Sequence, residues 1–456
     1  MKTEVVISEA DGQEPKSQDR LPREMLGFFR YTIPGRLRRH SDLLTALSHQ
    51  AVLSSANFGG QMVYARYLAP AEFGRLRLLL SIFYVAIGAM NAIVLEPFIL
   101  NHAVPDFERA GHDYLHKLSI LCLALAAATG LAAFLIAIIV PRSGVLLISG
   151  LVTALYSFVQ FTLWLLRWYF SAKSALIRIL WFDAVYLILT VAACATTVVL
   201  GLRSAEWAMT ALGIGGLPVV VAALATTRDV HIVRLQWPRL LAAHYTTARY
   251  YVAIAIAGGA TAQMQTWLSA GLLGLNATAV VGILNNSLNP CSQAINGLVR
   301  LFLPRMSGAC ARNRPAEADA VMAKSLIVLG GMGSIYGCLV WFFGDILIGI
   351  VGGRQYSAYA PFMKVAGIAS VFTGFTASFI MYAKARNGGR QLMSAVLIAS
   401  IIMPLLSWAL ISRGGLRGAA MTLVVAGGLG LAASIWASHR VRRVFARQRV
   451  HAGEAA

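Results

Sequence analysis

Gln50, Ser54, Asn57 and Gln61 are spaced four, three and four residues apart in an otherwise apolar stretch. At about 100° per residue they fall within roughly a 60° arc of one helix face. Asn286, Asn289, Gln293, Asn296 and Arg300 repeat the pattern at three, four, three and four, and the apolar segment before them carries Gln263, Gln265 and Thr266. Each amide both donates and accepts, so such a stripe can hold a cargo rich in hydroxyls without covalent chemistry. Lipid cannot satisfy these groups, and they must face a partner helix or a wet cavity. Spacing alone leaves both readings open. Acids in the apolar segments are few: Glu96, directly before Pro97, and Asp183 are candidates for binding a proton or cation during a transport cycle. Their structural alternatives are a helix N-terminal charge for Asp183 and a partner arginine for Glu96. No catalytic constellation, metal-ligand set or cofactor motif is present, because H-E-x-x-H, a Walker A loop and a strand-flanked G-x-G-x-x-G are all missing. The five cysteines (Cys122, Cys194, Cys291, Cys310 and Cys338) are scattered singly and read as buried packing residues.

These residues sit in a chain of 456 residues that is 58% hydrophobic and 13% charged, with a mean hydropathy of +0.67. That composition belongs to an integral membrane protein. Apolar spans are predicted over 44–65, 78–99, 118–140, 145–166, 179–200, 208–226, 250–272, 279–301, 325–351, 361–383, 392–412 and 416–437, each near the ~20 residues a bilayer core requires. The expected fold is therefore an all-α polytopic membrane protein, about twelve transmembrane helices in two six-helix bundles around a central cavity. Residues 1–42 form a polar, basic N-terminal tail, 43–226 the first bundle, 227–249 a linker, 250–437 the second bundle and 438–456 a basic C-terminal tail. A weak internal repeat supports the halves, since Gly74 precedes Pro97 much as Gly282 precedes Pro304.

Most of the 39 Lys and Arg fall on the side that holds both tails, which places both termini in the cytoplasm. The same asymmetry accounts for most of the formal charge of +20, so nucleic acid is not an expected partner. The connections on the opposite side are too short to form a domain, unlike those of a membrane polymerase or ligase acting on glycans. A membrane acyl- or glycosyl-transferase would need a catalytic His, Asp or Glu in or beside a span, and an enzyme is not the expected reading.

The polar first helix, its connector Arg66-x-Leu68-x-Pro70-x-x-Phe73-Gly74, and the junction Leu166-Arg167-Trp168-Tyr169-Phe170 with Asp183 beyond it resemble the Wzx-like oligosaccharide flippases of bacterial polysaccharide export. That branch shares a superfamily with the multidrug and toxic-compound extruders and the lipid II flippase. The resemblance covers the whole chain in length and topology, and those two stretches in motif. It implies alternating access of two bundles in a bacterial inner membrane, moving an undecaprenyl-diphosphate-linked oligosaccharide. It implies membrane lipids and the polysaccharide polymerase and export proteins as partners, and no cofactor. The alternative within the superfamily is a cation-coupled drug or metabolite antiporter, with a more apolar and aromatic cavity. One departure stands out: the lipid II flippase carries arginines along its first helix, where this chain has Gln50, Ser54, Asn57 and Gln61. Arg300 and Arg66 are then the cations nearest the two stripes.

Overall fold

The computed structural model describes residues 58–454 apart from 102–104, 140–147, 174–175, 227–234, 313 and 387, together with residues 52, 55 and 56. The N-terminal tail, Gln50, Ser54 and Asn57 lie outside the described residues. Everything described is helix, turn or short connection, with no strand.

Proline opens one helix after another, where its missing N–H costs nothing and its φ suits the first turn. The described part of α1 covers 58–67, and Pro70 starts α2. That helix is α-helical over Pro70–Met90, widens to a π-helical turn over Asn91–Leu95, and finishes as Glu96–Asn101. Then come α3 (Pro105–Ile139), α4 (Ile148–Ala172) and α5 (Leu176–Val199), and α6 in two pieces, Ala205–Ile214 and Leu217–Ala225. α7 (Trp237–Leu273) and α8 (Leu275–Ala311) are joined by Gly274 alone, whose φ of 87° turns the chain where a side chain would be strained. α9 consists of Pro315–Ser325, a π-helical turn over Leu326–Gly330, and Gly331–Gly352. A 3₁₀ turn, Arg354–Tyr359, leads to α10 (Ala360–Ala385). The last helix, Gly389–Glu454, folds back at Gly415 (φ 53°) into arms α11 (389–414) and α12 (416–454). The hairpin is tight: a Cβ on Gly418 would lie 1.9 Å from the Leu410 carbonyl oxygen.

Among the described residues eight helices are long and apolar enough to cross a membrane, and the protein is a multi-pass membrane protein. α7 and α8 are not among the eight; they carry the second set of amides, Gln263, Gln265, Asn286, Asn289, Gln293 and Asn296. Residues 237–249, expected in the linker 227–249, form the first turns of α7. Three cysteines are buried as expected, but Cys310 is half-buried and Cys338 is exposed on α9.

In the first bundle α3 packs on α4, and α4 on α6; in the second α10 packs on α9, α8 and the α11–α12 hairpin, which also lies along α7. The bundles meet where α2 runs against both α7 and α8. Small residues make that seam close. A Cβ on Gly74 would lie 1.9 Å from the Leu275 carbonyl oxygen, and one on Gly88 would come within 3.3 Å of the Ala255 carbonyl oxygen.

Candidate functional site

α2 begins at Pro70, two turns ahead of the expected span at 78, and this carries Arg77 into the interior. Arg77 is 4% exposed. Its Nη1 donates to Gln61 Oε1 of α1 at 2.6 Å and to Asn286 Oδ1 of α8 at 2.9 Å. Gln61 Nε2 in turn donates to Tyr84 Oη at 3.0 Å, and the Arg77 guanidinium lies 5.9 Å from the Tyr84 ring centroid. Space for the guanidinium exists because residue 282 is glycine: a Cβ there would lie 2.6 Å from Arg77 Cγ and 2.7 Å from Nε. No carboxylate pairs with Arg77 among the described residues, and its Nε and Asn286 Nδ2 are buried without a hydrogen-bond partner there. A buried cation satisfied only by neutral oxygens can exchange one of them for an anionic oxygen, gaining a charge-assisted bond.

The Pro70 end of the seam is held by exchanged helix caps. Arg66, at the end of α1, donates to the carbonyls of Gly349 (3.2 Å) and Ile350 in the last turn of α9. Gln355 Nε2, in the turn after α9, donates to the Ala65 carbonyl in the last turn of α1 at 2.6 Å. Each bundle thus satisfies helix-end carbonyls of the other. Phe73 and Tyr356 meet edge to face beside them, ring centroids 6.4 Å apart, and Trp267 Nε1 of α7 donates to Ser81 Oγ of α2 at 2.7 Å.

At the other end of α2 the contacts are ionic and imidazole-mediated. Lys384 of α10 lies 3.5 Å from Glu96 Oε1 in a half-exposed pair. His244, two turns into α7 and outside the apolar segment 250–272, places Nδ1 2.9 Å from the Ile93 carbonyl oxygen of the π-helical turn and Nε2 2.9 Å from Tyr114 Oη of α3. A carbonyl only accepts, so Nδ1 carries the proton and Nε2 receives that of Tyr114. Burial pushes the His244 pKa below the usual histidine range, and the bond to the Ile93 carbonyl opposes that shift.

The structure distributes the residues singled out in the sequence unevenly. Gln61 and Asn286 meet at Arg77. Along α8, Asn286 is buried, Asn289 and Gln293 are half-buried and Asn296 is exposed, so the stripe opens away from the Pro70 end. Arg300 lies on α8, with its side chain outside the described residues. Gln263 is half-buried, whereas Gln265 ties three helices together within its own bundle, donating to Asn285 Oδ1 at 3.0 Å and accepting from Thr422 Oγ1 at 3.1 Å. Asp183 accepts from Arg167 Nε at 2.8 Å in a nearly sealed ion pair inside the first bundle, with Arg167 also 5.9 Å from the Trp164 ring and 5.8 Å from that of Tyr186. Both acids singled out for coupling are therefore members of ion pairs in this arrangement. Among the described residues no three His, Cys, Asp or Glu side chains come together as a metal site. Arg77 itself escaped the sequence reading because a hydropathy window drops the charged turn. The missed signal was Pro70 followed by Glu72, a helix start that places residue 77 two turns inside.

No protein-family model matches the sequence, and no curated protein matches it. Solved structures do. The chain is similar to the inward-facing conformation of a multidrug resistance MATE family transporter of the MOP superfamily, with a TM-score of 0.70 and 10% identity, over 88% of this chain and 98% of that one. The outward-facing conformation of such a transporter gives 0.64 at 11% identity, over 88% and 94%. A MOP superfamily transporter from Pyrococcus furiosus, described as having a binding pocket of reversed polarity, gives 0.65 at 10% identity, over 88% and 94%. At these identities the likeness is one of fold.

Proposed function

We propose that this protein is an alternating-access transporter whose cargo bears an anionic, hydroxyl-rich head, read most concretely as an undecaprenyl-diphosphate-linked oligosaccharide repeat unit flipped across a bacterial inner membrane. The observation that carries the reading is Arg77: a sealed guanidinium between the bundles, held by amide oxygens and facing no carboxylate among the described residues. A cationic drug gains nothing there, whereas a diphosphate would replace Asn286 as the partner of Arg77. The amides of α8, buried at Asn286 and exposed by Asn296, suit a path for sugars. With both termini cytoplasmic, the Pro70 end faces outward, and the closed contacts there correspond to an inward-facing state. That assignment agrees with the higher TM-score against the inward-facing relative.

The second reading, a drug or metabolite antiporter, is favoured by the fold likeness itself, since two of the similar structures are described as multidrug resistance transporters. It would lean on Glu96 or Asp183 for ion coupling. The experiment that separates the two is the lipid-linked glycan pool in cells lacking the protein. Full-length repeat units should accumulate on the inner leaflet, and wild type but not Arg77→Gln should clear them. An unchanged glycan pool together with increased sensitivity to cationic dyes would establish the antiporter instead.

A further inference from the structure

Inside the second bundle α7, α10, α11 and α12 leave a cavity of about 230 Å³. Gly258, Thr261, Ala399, Ser400, Met403 and Gly430 are on its wall. Small residues on membrane helices ordinarily let backbones touch, and here they do not. A Cβ on Gly430 would meet nothing within 4 Å, and one on Gly258 would meet only Val396 Cγ1 at 3.6 Å. The wall hydroxyls are engaged locally. Thr261 Oγ1 donates to the Ala257 carbonyl at 2.7 Å and lies 2.8 Å from Ser400 Oγ, and Ser434 donates to the Leu431 carbonyl at 2.8 Å, which leaves Thr376 as the remaining hydroxyl. Most of the wall is carbon and most of its hydroxyl protons are already donated within the protein, so a run of CH2 groups suits the space better than clustered water. The space is partly open to its surroundings, and an apolar cavity of about 150 Å³ is already enough to bind benzene.

We infer that the cavity is a binding site for a hydrocarbon chain drawn from the surrounding lipid. Its place gives the occupant a consequence. Gly259 of α7 packs against α2, a Cβ there coming within 3.3 Å of Val85 Cα, while Gly258 and Thr261 face the cavity on another side of the same turn. A chain seated in the cavity therefore braces α7 from behind, against the seam between the bundles. This inference stands whether or not the cargo is a lipid-linked glycan.

The test is photolabelling of the purified full-length protein with a diazirine-bearing palmitate, with the adducts mapped by peptide mass spectrometry. Adducts are expected on the α7, α11 and α12 peptides that contain Thr261, Ser400 and Gly430. Gly430→Leu, which places a side chain in the open space, should reduce them about tenfold without changing adducts on the lipid-facing side of α5. Competition in wild type names the source: loss of label with a long-chain polyprenol assigns an isoprenoid tail, and loss with a dioleoyl phospholipid assigns an acyl chain. Label confined to lipid-facing helices, or cavity label that neither competitor displaces, would overturn the inference. If Gly430→Leu does not fold, the wild-type competition decides alone.

Discussion

Replacing Asn286 with leucine removes the one hydrogen bond among the described residues by which the second bundle holds Arg77. The bond is 2.9 Å long, sealed from solvent and made to a charged group, and bonds of that kind contribute about 1.5–3 kcal/mol. Because Asn286 and Arg77 belong to opposite bundles, the loss falls on the conformation in which the Pro70 end is closed. It should shift the ratio of closed to open molecules roughly 10- to 150-fold. Gln61→Leu is the control. It removes a bond of the same chemistry within the first bundle, so it should lower stability in both conformations and leave their ratio nearly unchanged. The assay is a distance measurement between spin labels at Ala71, beside the start of α2, and Ser357, after α9. Wild type and Gln61→Leu should give mainly the short distance, and Asn286→Leu a substantial long-distance population. Identical distributions for Asn286→Leu and wild type would refute the idea that this bond holds the seam shut.

Three further outcomes are expected. The His244 pKa is lowered in the folded protein, so the unfolded chain binds more protons as pH falls below the usual histidine value of about 6.5; the stability of the neutral imidazole is present above that pH and lost below it. Thermal denaturation at pH 8 and pH 5 should show a larger drop in Tm for wild type than for His244→Gln, and equal drops would exclude the role of His244. Asp183→Asn should cost about 3–5 kcal/mol by leaving Arg167 buried and unpaired, seen as loss of folded protein in detergent, while the double change Arg167→Leu, Asp183→Leu should recover most of it. Gly74→Ala should force α2 away from Leu275 and raise thiol reactivity of a cysteine at Phe73, whereas Gly428→Ala, with open space around it, should be silent in folding and reactivity alike.

The all-helical membrane character is legible from composition, because apolar runs of this length have no other stable use. The α8 stripe is legible from spacing, because helical periodicity decides which residues share a face before any partner is known. Arg77 was not legible in the same way. The hydropathy of residues 78–99 outweighs the polar turn before them, although the helix runs through it from Pro70. Nor could the pairing of Arg77 with Asn286, 209 residues apart, or of Glu96 with Lys384, 288 apart, be read from sequence. Both depend on how two bundles dock, and docking is decided by glycines such as Gly74 and Gly282 whose role appears only when the opposing backbone is in place. Asp183 shows the converse limit: its ion pair with Arg167, 16 residues away, joins two residues of one sequence motif whose contact the sequence did not reveal.

Gly274 is all that separates α7 from α8, two helices of 37 residues each. A longer connection would store slack, and one helix could shift before the other felt it. With a single residue between them, a tilt of α7 against α2 would reach the Pro70 end of α8, the end nearer Asn286, with no slack to absorb it. Lengthening that link by a few flexible residues is expected to disconnect the two helices while leaving each intact.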